Sequence, residues 1–158
     1  MDNLSGVFAR NCSVRRIDKA ASDSFLNAYH RLGATGGRYR YGLFVERSTG
    51  AAEASLTAGS LVAVAVFSNA RRWVKDGRRV SSYEWIRYAS LPGIRVVGGM
   101  GKLLQAFIDE VRPDDVMSYA DTEYPDGGEA YARLGFIPEG TVERSGHHNI
   151  KYRLKLGR

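Results

Sequence analysis

The chain has 158 residues, 44% hydrophobic and 25% charged, with a net charge of +6 and a pI of about 9.6. That length supports one domain with a proper core, and the modest positive excess favours a polyanionic partner without requiring one. No run of about 18 apolar residues offers a membrane span, the lone Cys12 excludes an internal disulfide and a Cys-based zinc site, and Met1-Asp2-Asn3-Leu4 lacks the pattern of a secretory signal, so a cytoplasmic location is expected.

Phe8 to Ile17 reads as a strand that ends at Asp18. Ala20 to Leu32 reads as a helix, with Phe25, Tyr29 and Leu32 on one side, Leu26 and His30 beside them, and Gly33 placed to end it. A loop with Gly36-Gly37, Arg38 and Arg40 follows, then a short strand over Tyr41 to Arg47. Ser48 to Gly59 is small and polar and reads as a flexible connection. Leu61 to Phe67 is almost continuously apolar, which predicts a strand covered on both faces.

The stretch Arg71-Arg72-Trp73-Val74-Lys75-Asp76-Gly77-Arg78-Arg79 gathers basic residues around a tryptophan, with Asp76-Gly77 as a turn. It reads either as a solvated hairpin tip or as a phosphate-contacting loop whose Trp73 stacks on a base. A strand over Ser82 to Ala89 leads through Leu91-Pro92-Gly93 to Gly98-Gly99-Met100-Gly101-Lys102. Leu103, Leu104, Phe107, Ile108 and Val111 then mark a helix that Pro113 stops. Val116 to Ala120 is a strand. Asp126 and Glu129 have capping-box spacing before a helix over Gly127 to Leu134, closed by Gly135. Phe136 to Arg144 and Asn149 to Leu156 pair around Ser145-Gly146. The order β-α-β-β-β-α-β-α-β-β predicts a single α/β domain over residues 1–158, a mixed sheet with helices on its faces.

A glycine turn between strand and helix is a ready anion site. The first helical amides have no acceptor inside the helix, and they carry the positive end of its dipole. The competing reading is that the glycines serve close packing only. His147 and His148 look like a metal pair, but strand neighbours point to opposite faces, so they read as a solvated turn.

Strand, glycine turn, helix, strand and then Tyr131-Ala132-Arg133-Leu134-Gly135-Phe136 resembles the GNAT acyltransferase superfamily. The resemblance implies a single GNAT-like domain with a mostly antiparallel sheet and helices on both faces. It also implies acetyl-CoA or another acyl donor held by Val97, Gly98, Gly99, Met100, Gly101 and Lys102, with Tyr131 protonating the departing thiolate. Val96 stands where the superfamily turn has Gln or Arg.

A narrower resemblance spans about Phe25 to Phe136. It rests on Phe25-Leu26-Asn27-Ala28-Tyr29-His30, Tyr41-Gly42-Leu43, Leu61-Val62-Ala63-Val64, Tyr83-Glu84-Trp85-Ile86-Arg87, Val97-Gly98-Gly99 and Ser118-Tyr119-Ala120-Asp121. This set is similar to a divergent, largely phage-borne GNAT group and, more distantly, to the Mom proteins, which convert adenine in DNA to an N6-carbamoylmethyl form with a dependence on iron. It implies a core of His30, Arg87, Ser118, Asp121 and Tyr131, with His30 and Asp121 as metal ligands; a facial metal site needs another ligand, for which Glu84 is a candidate. Each has a structural alternative: His30 closing its helix, Arg87 pairing in the core, Ser118 serving its strand, Asp121 capping a turn, Tyr131 packing. The leading expectation is therefore a Mom-like transferase acting on a nucleic-acid base, most simply the exocyclic amine of adenine in DNA. Arg38, Arg40, Arg71, Arg72, Trp73, Lys75, Arg78 and Arg79 would contact the nucleic acid. The alternatives are an acetyl-CoA-dependent N-acetyltransferase on a small amine or peptide, and a non-catalytic nucleic-acid-binding relative. The oligomeric state stays open, a dimer included.

Overall fold

The computed structural model describes residues 5–47, 56–124, 126–144 and 146–156. Residues 48–55, which hold most of the expected flexible connection, lie outside the described residues. So do Met1 to Leu4, Ser145 and the side chain of Asp126 on which the capping box turns. The chain forms two compact units, one ending at Phe67 and resumed over Arg87–Val111, the other made of Ser68–Ile86 and the residues from Arg112 on.

In the first unit the single strand expected over Phe8 to Ile17 is two. A 3-10 turn (Ala9–Asn11) separates β1 (Ser5–Phe8) from β2 (Cys12–Arg16). The break lets β2 pair antiparallel with β3 (Tyr39–Val45), while β1 pairs parallel with β7 (Ile94–Val97), Ser5 opposite Ile94. Helix α1 (Lys19–Tyr29) starts at Asp18, whose carboxylate accepts the Ala21 amide at 2.8 Å. Asp18 is thus an N-cap, not a strand end.

Strand β4 (Leu61–Phe67) pairs antiparallel with β3. Val64 and Val66 pack against Phe25 and Leu26 of α1 and Ala89 of β6 (Arg78–Ser90). On the opposite face Phe67 stacks on Phe107 of α2 (Gly99–Val111) at 4.0 Å, and Tyr41 meets both rings edge-on. Helices therefore cover both faces of β4, which is why its sequence shows no polar alternation.

The second unit holds β5 (Arg71–Lys75), residues 78–86 of β6, β8 (Asp115–Asp121), α3 (Asp126–Arg133), β9 (Ile137–Arg144) and β10 (His147–Lys155). Its strand order is β5-β6-β8-β10-β9. The basic stretch is a solvent-exposed hairpin, as the first of its two readings has it: Arg71 lies opposite Ser82 and Lys75 opposite Arg78. Asp76 and Gly77, at φ 52° and 76°, make a two-residue turn that follows the strands' twist. Strands β6 and β8 run parallel, Ser82–Glu84 against Asp115–Met117, among otherwise antiparallel pairs. Trp85, Tyr131, Phe136 and Tyr152 cluster beneath α3. The fold is the mixed α/β type with a mostly antiparallel sheet and helices. Among the described residues no helix is long and apolar enough to cross a membrane.

Candidate active site

The glycine turn belongs to the first unit. Gly98 has φ +77°, a left-handed conformation that turns β7 into α2. A Cβ on Gly99 would stand 2.6 Å from Val96 Cγ1 and 3.3 Å from the Tyr88 hydroxyl, so α2 enters tight against its own strand. The first intrahelical bond runs from the Lys102 amide to the Gly98 carbonyl at 3.1 Å. The amides of Gly99, Met100 and Gly101 thus have no acceptor within the helix, and the first turn carries no acidic side chain. Donors without a negative charge among them fit a phosphate-bearing group. The side chain of Lys102, one of the residues expected to hold the donor, donates from Nζ to the carbonyls of Ala9 at 2.9 Å and Cys12 at 2.6 Å, bracing the 3-10 turn. Val97 ends β7 opposite Phe8.

His30 and Arg87 also lie in this unit. The helix expected to reach Leu32 stops at His30, which is extended (φ −110°, ψ 132°). Its Nδ1 accepts the Leu32 amide at 3.0 Å. Burial, with the charges of Arg87 and Arg31 adding to it, lowers the imidazole pKa to about 4. The ring is therefore neutral at pH 7, and an accepting Nδ1 assigns its one proton to Nε2. Neither nitrogen then offers a lone pair to a cation without breaking that loop. Arg87 donates from Nε to the Gly33 carbonyl at 3.1 Å, holding the same loop.

Ser118, Asp121 and Tyr131 belong to the second unit. Ser118, 1% exposed, donates from Oγ to the Trp85 carbonyl at 2.9 Å, one residue past the paired segment of β6 and β8. A hydroxyl thus takes over where the ladder stops. Tyr131 hydrogen-bonds the same Ser118 side chain and meets Trp85 edge-on at 5.7 Å. Burial raises the Tyr131 pKa; the Ser118 bond offsets part of that and the Glu84 carboxylate adds to it. The phenol accordingly keeps its proton throughout the neutral range. Glu84 itself, 4% exposed, accepts from Arg71 and from Arg144, each at 2.9 Å. With both oxygens engaged, this candidate does not serve as the third metal ligand. Arg144, sixty residues along the chain, carried no signal in the sequence; its guanidinium lies 4.1 Å over the Tyr119 ring.

Asp121 accepts the Glu123 amide at 2.9 Å, the turn-capping alternative. Its other oxygen lies 3.5 Å from His147 Nδ1. Asp121, Glu123 and His147 place their ligand atoms within 4.8 Å of one another, a grouping without His30. His147 opens β10 instead of lying in a turn, while His148 stands 3.7 Å from Glu143.

The residues expected to contact nucleic acid divide. Arg40 is a core residue, 6% exposed. Its guanidinium bonds Ser22 Oγ (2.8 Å) and the carbonyls of Thr35 (2.9 Å) and Gly37 (3.3 Å), and lies 3.5 Å from Asp23. It cannot reach a phosphate. Arg38 is exposed beside the Tyr39 ring, and Arg71 is committed to Glu84. Arg72, Trp73, Lys75, Arg78 and Arg79 are exposed on the hairpin.

No protein-family model matches the chain, and no curated protein matches it in sequence. Its fold does match solved structures. The NatC complex bound to Gag peptide and CoA aligns at TM-score 0.64 and 15% identity, over 92% of this chain and 99% of that one. Arabidopsis thaliana NAA60 in complex with acetyl-CoA gives 0.66 at 10% identity, over 93% and 99%. The spermidine/spermine N-acetyltransferase SpeG from Vibrio cholerae, solved with manganese ions, gives 0.61 at 10%, over 93% and 94%. The chain therefore has the fold of the GNAT acetyltransferases.

Proposed function

We propose that this chain is an acetyl-CoA-dependent N-acetyltransferase whose acceptor is the amine of a small molecule or a peptide. The observation that carries the reading is the fold shared, over nearly the whole chain, with proteins solved with CoA and acetyl-CoA. Two local features support it. The Gly98–Lys102 turn presents the backbone amides of Gly99, Met100 and Gly101, which would receive phosphate oxygens. Tyr131 retains a proton at Oη and is the donor for a departing sulfur. Acetyl-CoA supplies the chemistry when bound: its thioester passes an acetyl group to the amine nitrogen and releases a thiol. Ser118, fixed on the Trp85 carbonyl, orients the Tyr131 hydroxyl.

The base-modifying expectation draws no support from the matched folds, which are those of a peptide-bound acetyltransferase complex and a polyamine acetyltransferase. Its metal pair draws no support either: His30 Nδ1 is taken by the Leu32 amide, and among the described residues Asp121 groups with Glu123 and His147 and not with His30. Isotopically labelled acetyl-CoA, offered with spermidine, with peptides bearing free N-termini and with DNA, tests the reading by mass spectrometry. Label on an amine is expected. Label on no amine, or a modified nucleoside in the DNA, overturns it.

A further inference from the structure

A cavity of about 530 Å³ lies wholly within the second unit and shares no residue with the glycine turn, Tyr131 or Ser118. Side chains alternate along a strand. Trp85 faces Tyr131 and Phe136, so Val80, Ser82 and Glu84 face the other way, on the side of the sheet away from α3. The hairpin register sets Trp73 opposite Val80 and Lys75 opposite Arg78 on that same side.

The cavity is built, not incidental. One wall is the Trp73 indole, 42% exposed, whose Nε1 donates to Ser82 Oγ at 2.8 Å. Ser82 in turn donates to Asp115 Oδ2 at 2.8 Å, and Arg153 bridges Asp115 Oδ1 (2.6 Å) and Glu139 (2.9 Å). This largely buried chain of bonds holds an aromatic face open toward the cavity. Of the charges lining it, Arg153 is consumed by Asp115 and Glu139, and Arg78 lies 3.6 Å from Asp114, which also accepts the Ser81 amide. Lys75, Lys155 and Asp76 remain, with no ion pair among the described residues. With Lys151, 3.9 Å from Glu139, offsetting the second of the carboxylates on Arg153, the balance left over is one positive charge beside one flat apolar surface. Small-molecule sites run about 300–1,000 Å³, and this volume falls among them.

We propose that this cavity binds a planar aromatic molecule bearing an anionic group, of mononucleotide size, stacked on Trp73 with its anion at Lys75 and Lys155. The proposal is independent of the acetyl-transfer reading. It also narrows what the basic hairpin is for: a cavity of about 530 Å³ lined by Trp73, Lys75 and Lys155 suits one nucleotide, not a track along a strand.

Adenosine monophosphate titrated into the full chain, read by tryptophan fluorescence, tests this. The sequence has two tryptophans and Trp85 is 1% exposed, so a ligand-dependent change reports Trp73. Saturable quenching is expected, weakened about tenfold or more in Trp73→Ala and by added salt. Lys155→Glu, an exposed change that leaves the bonded chain intact, should weaken it as well. Adenosine alone and inorganic phosphate alone should each bind less well than the nucleotide. No saturable change, or undiminished binding to Lys155→Glu, overturns the proposal. So does affinity that grows with oligonucleotide length, which would place a polymer on the outside of β5.

Discussion

His30 shows how one side chain can look catalytic in sequence and be conformational in structure. Its imidazole ends α1 and accepts the Leu32 amide, and its pKa falls from 6.5 to about 4. The unfolded chain therefore takes up a proton at this site at a higher pH than the native one does. The stabilisation is fully present above pH 6.5 and is lost as pH falls toward about 4. The shift caps the loss at roughly 3 kcal/mol, reduced by the partial solvent access of the ring. Urea unfolding at about pH 7 and about pH 4.5 should show the decline, and His30→Asn, which keeps an acceptor for Leu32, should flatten it. An equal decline in the variant would mean that other groups titrate. Tyr131 carries the complementary test: Tyr131→Phe should lower kcat about a hundredfold or more with little change in KM. An unchanged kcat would leave Tyr131 a packing residue. Neither environment was legible from residue type, because burial and the neighbours Arg87, Ser118 and Glu84 arrive through the fold.

Among the elements, those announced by local chemistry were legible. Continuous apolar sequence marked β4, Asp76-Gly77 marked the β5–β6 turn, and helical spacing after three glycines marked α2. Strand β7 was not, because Ile94–Val97 is only four residues long and follows a Pro-Gly turn. The loop between α1 and β3 depended on Arg40, which reads from its type as a surface cation. In the structure that guanidinium ties Ser22 and Asp23 to the carbonyls of Thr35 and Gly37. Truncation would strand those acceptors and a mostly buried carboxylate. Arg40→Met should therefore cost about 3–5 kcal/mol by denaturant unfolding, with no specific effect on anion binding. A loss below about 1 kcal/mol would show that the loop finds its bonds elsewhere.

Across the whole molecule, GNAT architecture persists at 10–15% identity to its structural counterparts. A fold rests on its pattern of buried positions and turns; the polar side chains around it are free to differ, and they are where the sequence expectations diverged most. On the proposed reading the glycine turn is the feature that would hold the cofactor, and its donors are backbone amides, which do not depend on side-chain identity. Calorimetric titration of CoA into the intact chain, beside Met100→Asp, tests that link most directly. An aspartate in the first turn of α2 favours the helix dipole, so the variant should fold. It also places a negative charge where phosphate would sit. The account predicts one CoA bound per chain and affinity at least about tenfold weaker in Met100→Asp at unchanged thermal stability. Absence of binding, or equal binding by both proteins, would contradict it.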